Sequence, residues 1–337
     1  MRSSNENKDD VVLRAEAVCQ YFPIKNGFGK VTNYVKAVDD VSLTLRKGET
    51  YGLVGETGCG KSTLGRTLIR LLAPTQGTVE INGVDISRMT EKELRPYRRN
   101  FQMVFQDPYT SLNPRQRAGD ILMDVLKIHK IGTKEERREI AMKTLETVGL
   151  RPEHFYRYPH EFSGGQRQRV GLARALILNP QIIVCDEPVS ALDVSIQSQI
   201  INLLQDLQKK DQLTYLFIAH DMSVVKYISD RIGIMYLGHI MEEADNEELF
   251  SNTLHPYAQA LLSAVPSTNV HEKKERIVLK GDLPSPMNPP TGCVFHTRCP
   301  YAREICSCEK PQMECMGNNH YVRCHMYSGG RKDENWM

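Results

Sequence analysis

Five short motifs of the kind that handle phosphate groups follow one another along this chain. They are GETGCGKST (Gly55 to Thr63), FQDP (Phe105 to Pro108), FSGGQ (Phe162 to Gln166), IIVCDEP (Ile182 to Pro188), and SALD with a later histidine (Ser190 to Asp193, His220). Each motif alone is a weak signal, because glycine-rich turns and adjacent acidic residues are common on protein surfaces. Together, in this order, they predict a chain that binds and hydrolyses a nucleoside triphosphate.

The first motif matches G-x-x-x-x-G-K-[ST] and lies between a predicted strand (Tyr51 to Gly55) and a predicted helix (Lys61 to Leu72). In that context the loop N–H groups and the helix N-terminus surround the β-phosphate, Lys61 contacts the β- and γ-phosphates, and the Ser62 hydroxyl ligates Mg²⁺. The residues assigned to the nucleotide here are Gly55, Gly58, Gly60, Lys61, Ser62 and Thr63.

Two further motifs supply a metal ligand, a base and a second anion site. Asp186 ends an apolar strand, where its carboxylate can hold the Mg²⁺ hydration shell, and Glu187 can accept a proton from the attacking water or orient it. The stretch Ser163-Gly164-Gly165-Gln166 begins a helix, so its free amides and hydroxyl form an anion site without a lysine. Two unlike phosphate sites suggest an ATP held between two subunits.

Strands alternate with helices around these motifs, which predicts a parallel α/β core. The predicted elements are a strand at Val41 to Leu45, a hairpin turn at Asn82-Gly83, helical sequence from about Arg117 to Gly149 with a Thr133/Glu136 capping box, a helix from Gly164 to Leu178, and strands at Ile182 to Cys185 and Tyr215 to Ala219.

Composition excludes several classes. The 337 residues include 43 basic and 41 acidic ones, so the net charge of +2 gives no global attraction to nucleic acid or anionic lipid. The sequence has neither an apolar run of about 18 residues nor an N-terminal signal peptide. We therefore expect a cytosolic protein without a nucleic-acid partner, which reaches a membrane only through other subunits.

The motif set resembles the nucleotide-binding subunit of ABC transporters. The resemblance covers about residues 11 to 262 and implies a RecA-like parallel sheet with an antiparallel β subdomain and a helical subdomain at about 107–165. By the same resemblance, Gln106 is the Q-loop residue and a Mg²⁺ contact, Asp193 belongs to the D-loop, His220 is the switch histidine, and Tyr21 stacks on adenine.

The resemblance also implies partners. In this family two ATPase subunits meet head to tail, so that Ser163 and Gly165 contact the ATP held by the other subunit's P-loop. Gln106 and the helical subdomain then contact two transmembrane permease subunits at the cytoplasmic face of the membrane. Family members often form unlike pairs, so we expect a heterodimer with a second ABC ATPase.

The C-terminal part narrows the family. Six prolines fall between Pro266 and Pro300 and predict a linker at 263–290, before a cysteine-rich, irregular module at 291–327 and a polar tail at 328–337; residues 1–10 read as a disordered tail. The G-C-x-F-x-x-R-C-P stretch (Gly292 to Pro300) resembles the C-terminal region of oligopeptide/dipeptide importer ATPases. It implies peptide cargo and an extracellular peptide-binding protein, although nickel importers carry related extensions.

Six of the nine cysteines lie within 32 residues, which favours metal ligands over disulfides in a reducing compartment. The family resemblance selects Cys293, Cys299, Cys306 and Cys324 as ligands of a [4Fe–4S] cluster, with Zn²⁺, and free thiols or an adventitious disulfide, as alternatives. Cys308 and Cys315 fall outside this pattern. His320 and His325 are candidate ligands for which a hydrogen-bonding or surface role is the simpler interpretation.

Two other interpretations remain. A soluble ABC protein of DNA repair or of the ribosome would carry a long coiled coil or tandem cassettes, and the sequence shows neither. A metal or redox sensor that uses ATP for signalling would be independent of membrane partners. We also expect Cys59, next to Lys61 and a helix N-terminus, to have a lowered thiol pKa and to react with maleimide.

Overall fold

The computed structural model describes residues 10–107, 111–190, 192–265, 276–333 and 336. Predictions that fall on residues 1–9, on Pro108, on Ala191 and on 266–275 of the linker lie outside these ranges. The chain divides into two compact units. The first comprises residues up to 45, 50–88 and 219 onward, and the second comprises 46–49 and 89–218.

The first unit contains the amino-terminal strands and the carboxyl-terminal third of the chain. Its strands are β1 (Val11–Lys25), β2 (Val31–Arg46), β3 (Thr50–Val54), β4 (Gln76–Ile81), β5 (Val84–Asp85), β9 (Arg231–Tyr236), β10 (His239–Asp245), β11 (Met313–Gly317), β12 (His320–Arg323), β13 (Tyr327–Ser328) and β14 (Arg331–Lys332). Its helices are α1 (Lys61–Leu68), α7 (Met222–Ile228), α8 (Asn246–Ser251), α9 (Pro256–Ser263) and α10 (Glu304–Cys308).

An antiparallel sheet forms one part of this unit, with the strand order β2-β1-β4-β5. The predicted hairpin turn is confirmed: Asn82 and Gly83 have φ of 50° and 76°, and Ile81 pairs with Val84. Both central residues of a type I′ turn need positive φ, which asparagine and glycine tolerate better than other residues.

The C-terminal extension joins the other strands of the first unit, in the order β11-β12-β10-β9-β3. Strands β3 and β9 are parallel, whereas β10 is antiparallel to both β9 and β12. The segment predicted to be irregular therefore contributes two paired strands. The short β13–β14 pair begins at Tyr327 and continues into the predicted polar tail. That tail also contains the buried Trp336, whose ring lies 4.5 Å from the guanidinium of Arg303.

The second unit is a parallel α/β arrangement, as the sequence predicts. Its strands β6 (Phe101–Val104), β7 (Ile182–Asp186) and β8 (Thr214–Ala219) pair in the order β6-β7-β8, all parallel. Its helices are α2 (Glu91–Leu94), α3 (Ala118–Ile128), α4 (Lys134–Thr147), α5 (Gly164–Leu176) and α6 (Val194–Asp211), with short 3₁₀ turns at Tyr97–Arg99, Pro152–Tyr156 and Pro159–Glu161.

The capping and glycine signals in the sequence correctly predict both ends of helix α4. Thr133 and Glu136 form the expected capping box at the start of α4, and Gly149 follows its end with φ of 74°. The predicted helix ends were less accurate: α1 ends at Leu68 instead of Leu72, because Arg70 adopts φ of 55°. Within the described ranges, no helix has the length and apolar character needed to cross a membrane.

Candidate nucleotide-binding site

The glycine-rich loop connects the fully buried strand β3 to helix α1, which is the context that the P-loop prediction requires. Gly58 and Gly60 have φ of 83° and 108°, in the left-handed region that favours glycine. A Cβ on Gly55 would lie 2.1 Å from the Met235 carbonyl oxygen, and one on Gly60 would lie 2.0 Å from that of Ala37. The loop is therefore packed so closely against other backbone that only glycine fits at these positions.

The Lys61 side chain is held inside the loop. Its ammonium donates to the carbonyl oxygens of Gly55 at 2.8 Å and Glu56 at 3.0 Å, and only 4 % of the residue is exposed. Lys61, Ser62 and Thr63 form the first turn of α1, where backbone N–H groups lack helical partners. The loop thus combines a fixed positive charge with the N–H groups of a helix N-terminus, an arrangement suited to a phosphate group.

The expectation that Cys59 has a lowered thiol pKa is wrong. Its side chain is 1 % exposed, and burial raises the pKa of the thiol although the nearby Lys61 ammonium lowers it. The Cys59 sulfur lies 3.9 Å from the Lys61 nitrogen. Loss of hydration outweighs the positive charge here, so the sulfur is a protonated packing group and not an activated nucleophile.

In the second unit, the structure brings Gln106 and Glu187 together. Glu187 directly follows β7, and its carboxylate accepts a hydrogen bond of 3.0 Å from the Gln106 amide. Glu187 has φ of 45°, which is unusual for a glutamate, and its N–H donates to the Ile218 carbonyl at 3.0 Å. Backbone strain of this kind costs on the order of 1 kcal/mol and clusters at functional sites. Asp186, one residue earlier, is fully buried at the end of the strand.

The Ser163 to Gln166 segment begins α5 as predicted. The Ser163 hydroxyl accepts from the Gln166 N–H, and the Gln166 side chain accepts from the Ser163 N–H, forming a capping box. A Cβ on Gly165 would lie 2.4 Å from Ile196 Cγ2, whereas one on Gly164 would lie 3.4 Å from Leu192. Gly165 therefore allows α5 to approach α6 closely.

Three further predicted residues, Asp193, His220 and Tyr21, differ in their local environments. Asp193 caps α6: the Ser195 hydroxyl and Ile196 N–H donate to its carboxylate, and these hydrogen bonds lower its pKa. His220 is exposed directly after β8. The Tyr21 hydroxyl donates to Asp39 at 2.5 Å, and burial, followed by this hydrogen bond, raises the pKa of Tyr21. The bond fixes the orientation of a ring that is half-buried.

The four selected cysteines lie in one region of the extension. The Cys293 N–H donates to the Cys306 carbonyl at 2.8 Å. The pKa of Cys293 is raised to about 11 and that of Cys324 to about 12, mainly by burial and to a smaller extent by neighbouring selected thiols. Cys308 and Cys315, which fall outside the predicted set, are exposed.

The donor chemistry of these four thiols suits a thiolate-ligated metal centre. Their geometry does not support one: in the described part of the chain, no three His, Cys, Asp or Glu side chains form a group that could hold a metal ion. The candidate histidines have other partners, since His320 hydrogen-bonds Glu242 at 2.7 Å and His325 hydrogen-bonds the Glu309 carbonyl at 2.9 Å.

The sequence does not reveal an ion pair that holds the P-loop, between Glu56 and Arg298. Glu56 lies inside the loop motif and Arg298 inside the G-C-x-F-x-x-R-C-P stretch, and neither was assigned a role. Arg298 donates to both Glu56 carboxylate oxygens, at 3.0 and 2.9 Å. The only available signal was the presence of unexplained charged residues in two recognisable motifs.

Two family profiles match the chain. The ABC transporter family matches residues 38–190, and the family described as Oligopeptide/dipeptide transporter, C-terminal region, matches residues 241–306. The chain is also similar to two solved structures. One is a dimer of the ATP-binding cassette MJ0796 in a post-hydrolysis state bound to ADP and Pi, with a TM-score of 0.63 and 29 % identity over 69 % of this chain and 98 % of that one.

The other is cbiO1 from Clostridium perfringens, part of the ABC transporter complex cbiONQ, with a TM-score of 0.61 and 25 % identity over 72 % of this chain and 92 % of that one.

Several relatives match nearly the whole chain. The oligopeptide transport ATP-binding protein AppF of Bacillus subtilis is 56 % identical, over 95 % of this chain and 98 % of the relative. The putative oligopeptide transport ATP-binding protein YkfD of the same organism is 54 % identical, over 89 % and 92 %. A putative peptide import ATP-binding protein of Brucella ovis is 53 % identical, over 86 % and 92 %. The chain therefore belongs to the ABC transporter family, among its oligopeptide transport ATP-binding proteins.

Proposed function

We propose that this chain hydrolyses ATP to power the import of oligopeptides or dipeptides across the cytoplasmic membrane. The observation that carries the proposal is a P-loop with a buried lysine, in a chain 56 % identical to an oligopeptide transport ATP-binding protein. Import of nickel or another small solute is the alternative, because related extensions occur in nickel importers.

Each predicted site residue has a proposed role in this reaction. Lys61 and the loop amides bind the β- and γ-phosphates, and Tyr21 stacks on the adenine. Ser62, Gln106 and Asp186 offer oxygen donors, the ligand type that Mg²⁺ prefers. When bound, Mg²⁺ neutralises charge on the phosphates. The Glu187 carboxylate, held by Gln106, accepts the proton of the attacking water or orients it, and His220 assists from the end of β8.

A second ATPase subunit completes the site in this proposal. The capped N-terminus of α5 presents amides and a serine hydroxyl but no lysine, so it suits the outer face of a nucleotide that another P-loop holds. The MJ0796 cassette was solved as a dimer with ADP and Pi, which supports such a pairing. We propose a heterodimer, in which Ser163 and Gly165 of this chain contact the nucleotide held by the P-loop of the second ATPase.

The remaining partners follow from the family. We propose two transmembrane permease subunits, which hold this chain at the cytoplasmic face of the membrane, and an extracellular peptide-binding protein. The predicted domain boundaries belong to the same proposal: an ATPase domain at 11–262 with a helical subdomain at about 107–165, a linker at 263–290, and a cysteine-rich module at 291–327.

The cysteine-rich module is proposed to hold an iron–sulfur cluster, with Zn²⁺ as the alternative. The support is proximity: beside burial, Cys299 and Cys306 contribute to the raised pKa of Cys293, and Cys293, Cys299 and Cys306 contribute to the raised pKa of Cys324. Such a cluster would have a structural role, because a small loop-rich segment gains stability from a metal centre.

The proposed function is tested by purifying the intact complex and measuring its ATP hydrolysis with and without peptide. The wild-type complex, reconstituted in liposomes with its binding protein, is expected to hydrolyse ATP faster when peptide is present. Glu187→Gln should bind ATP and lose hydrolysis by on the order of 10²-fold, because the water loses its base. Stimulation by nickel and not by peptide would favour the alternative cargo, and unimpaired hydrolysis by the variant would refute the role of Glu187.

A further inference from the structure

The second residue of the P-loop, Glu56, is held from three directions. Its N–H donates to the Tyr257 hydroxyl at 2.9 Å. Its carbonyl oxygen accepts from the Lys61 ammonium at 3.0 Å. Its carboxylate accepts from Arg298, and 26 % of this side chain is exposed. Glu56 therefore fixes the segment of loop on which the lysine rests.

Arg298 is directed at this carboxylate by its surroundings. Only 9 % of its side chain is exposed, and one guanidinium nitrogen contacts both carboxylate oxygens of Glu56. The same nitrogen lies 3.5 Å from the Tyr236 hydroxyl. A charge removed from water to this degree needs a partner, and Glu56 is the partner with the opposite charge.

The backbone that carries Arg298 is anchored by an aromatic cluster of Tyr236, Tyr257 and Phe295. Phe295 is fully buried, and its ring centroid lies 5.2 Å from that of Tyr236 and 5.4 Å from that of Tyr257. The Arg298 N–H donates to the Phe295 carbonyl, which fixes the turn between them. The C-terminal extension therefore acts on Glu56 by two routes. Arg298 pairs directly with the Glu56 carboxylate, and Phe295 packs against Tyr257, whose hydroxyl accepts from the Glu56 N–H.

We propose that Arg298 is a positioning residue of the nucleotide site, which fixes the P-loop through Glu56 and makes nucleotide affinity depend on the C-terminal extension. The reason is geometric: one residue, Glu56, receives the Arg298 guanidinium on its side chain and the Lys61 ammonium on its carbonyl. A shift of Glu56 would therefore displace the carbonyl oxygen to which the Lys61 ammonium donates. This inference rests on the assignment of the P-loop as the nucleotide site.

The test measures equilibrium binding of MgATP to the full purified chain, together with the KM and kcat of its ATPase activity. Arg298→Met is expected to raise the Kd for MgATP about 10-fold, which corresponds to ~1.4 kcal/mol. KM should rise in parallel and kcat should change less than about 2-fold, because the hydrolytic residues are untouched. Arg298→Lys should fall between, since a lysine contacts a carboxylate through a single point charge.

Arg303→Met is the matched control, because Arg303 lies in the same extension but stacks on Trp336. Its Kd for MgATP should equal that of the wild type. Glu56→Gln removes the same ion pair without altering the extension, so it should reproduce the effect, and the Glu56→Gln, Arg298→Met double variant should be no weaker than either single one. If Arg298→Met does not fold, Glu56→Gln carries the test.

The outcomes separate this inference from the site assignment. If Lys61→Ala leaves MgATP binding intact, the P-loop assignment itself fails. If Lys61→Ala abolishes binding while Arg298→Met and Glu56→Gln bind like the wild type, only the positioning role is refuted. Additive losses in the double variant would also refute it, because they would mean that the two residues act independently.

Discussion

A buried ion pair joins β12 of the C-terminal extension to β10, and its removal should cost about 2–3 kcal/mol. His320 on β12 is 1 % exposed and contacts the Glu242 carboxylate on β10 at 2.7 Å, while Glu242 is fully buried. The other ring nitrogen lies 3.3 Å from Glu248. We predict that His320→Gln destabilises the protein and loosens the extension first.

The size of the loss follows from the partners that remain. Removing one member of a buried pair typically costs about 3–5 kcal/mol, because a charge is left unpaired. Glu242 keeps two backbone donors, the N–H groups of Leu254 at 2.8 Å and His255 at 2.7 Å. Because these hydrogen bonds retain part of the compensation, we expect a loss of about 2–3 kcal/mol in the free energy of unfolding.

The loss should depend on pH in a defined direction. Burial alone would lower the pKa of His320, but hydrogen bonds and charge from Glu242, and then Glu248, outweigh it and raise the pKa. A histidine with a raised pKa contributes its full stability below its unfolded value of about 6.5. That contribution disappears as the pH rises through the folded pKa. The difference between wild type and variant should therefore be largest in mild acid.

Denaturant unfolding of both proteins from pH 6 to 9, with hydrogen exchange at β10 and β12, measures these effects. His325→Gln is the control, because His325 is less buried and bonds a backbone carbonyl; it should change stability by less than about 0.5 kcal/mol. Equal losses for the two variants, or a difference that grows with pH, would refute the reasoning.

Three further predictions concern single positions. Gly165→Ala should destabilise by about 1–3 kcal/mol in thermal unfolding, because its Cβ would meet Ile196, whereas Gly171→Ala in the same helix meets nothing within 4 Å and should be neutral or stabilising. Maleimide should label exposed Cys308 well before buried Cys59 in peptide mapping; fast ATP-protected labelling at Cys59 would contradict its raised pKa. In anaerobic protein, Cys293→Ser should remove bound iron and sulfide while Cys308→Ser retains them, and iron-free wild type would end the cluster proposal.

Local sequence signals predicted the parts of this structure that depend on neighbouring residues. The Asn82-Gly83 turn and the Thr133/Glu136 capping box need only a few adjacent side chains, and both are confirmed. The P-loop context also follows from adjacency, since a buried strand, a glycine-rich loop and a helix occur in direct succession.

Features that depend on distant parts of the chain were not predictable. Arg298 and Glu56 are 242 positions apart, and nothing in either motif indicates that they pair. The error at Cys59 has the same origin: Lys61 and the helix N-terminus are visible in the sequence, but the burial that reverses the pKa shift is not. The sequence predicts an irregular segment where β12 lies, because the pairing of β12 with β10 exists only in the folded protein.

The pairing of β12 with β10 also sets an order for biosynthesis. During translation β10 leaves the ribosome long before β12, so one edge of this buried strand stays unpaired until β12 has been made. An open edge of this kind invites pairing with other chains, which makes the nascent protein a candidate for chaperone protection over that interval. Emergence of β12 from the ribosome, and not completion of the P-loop, is then the step that closes this edge of the sheet.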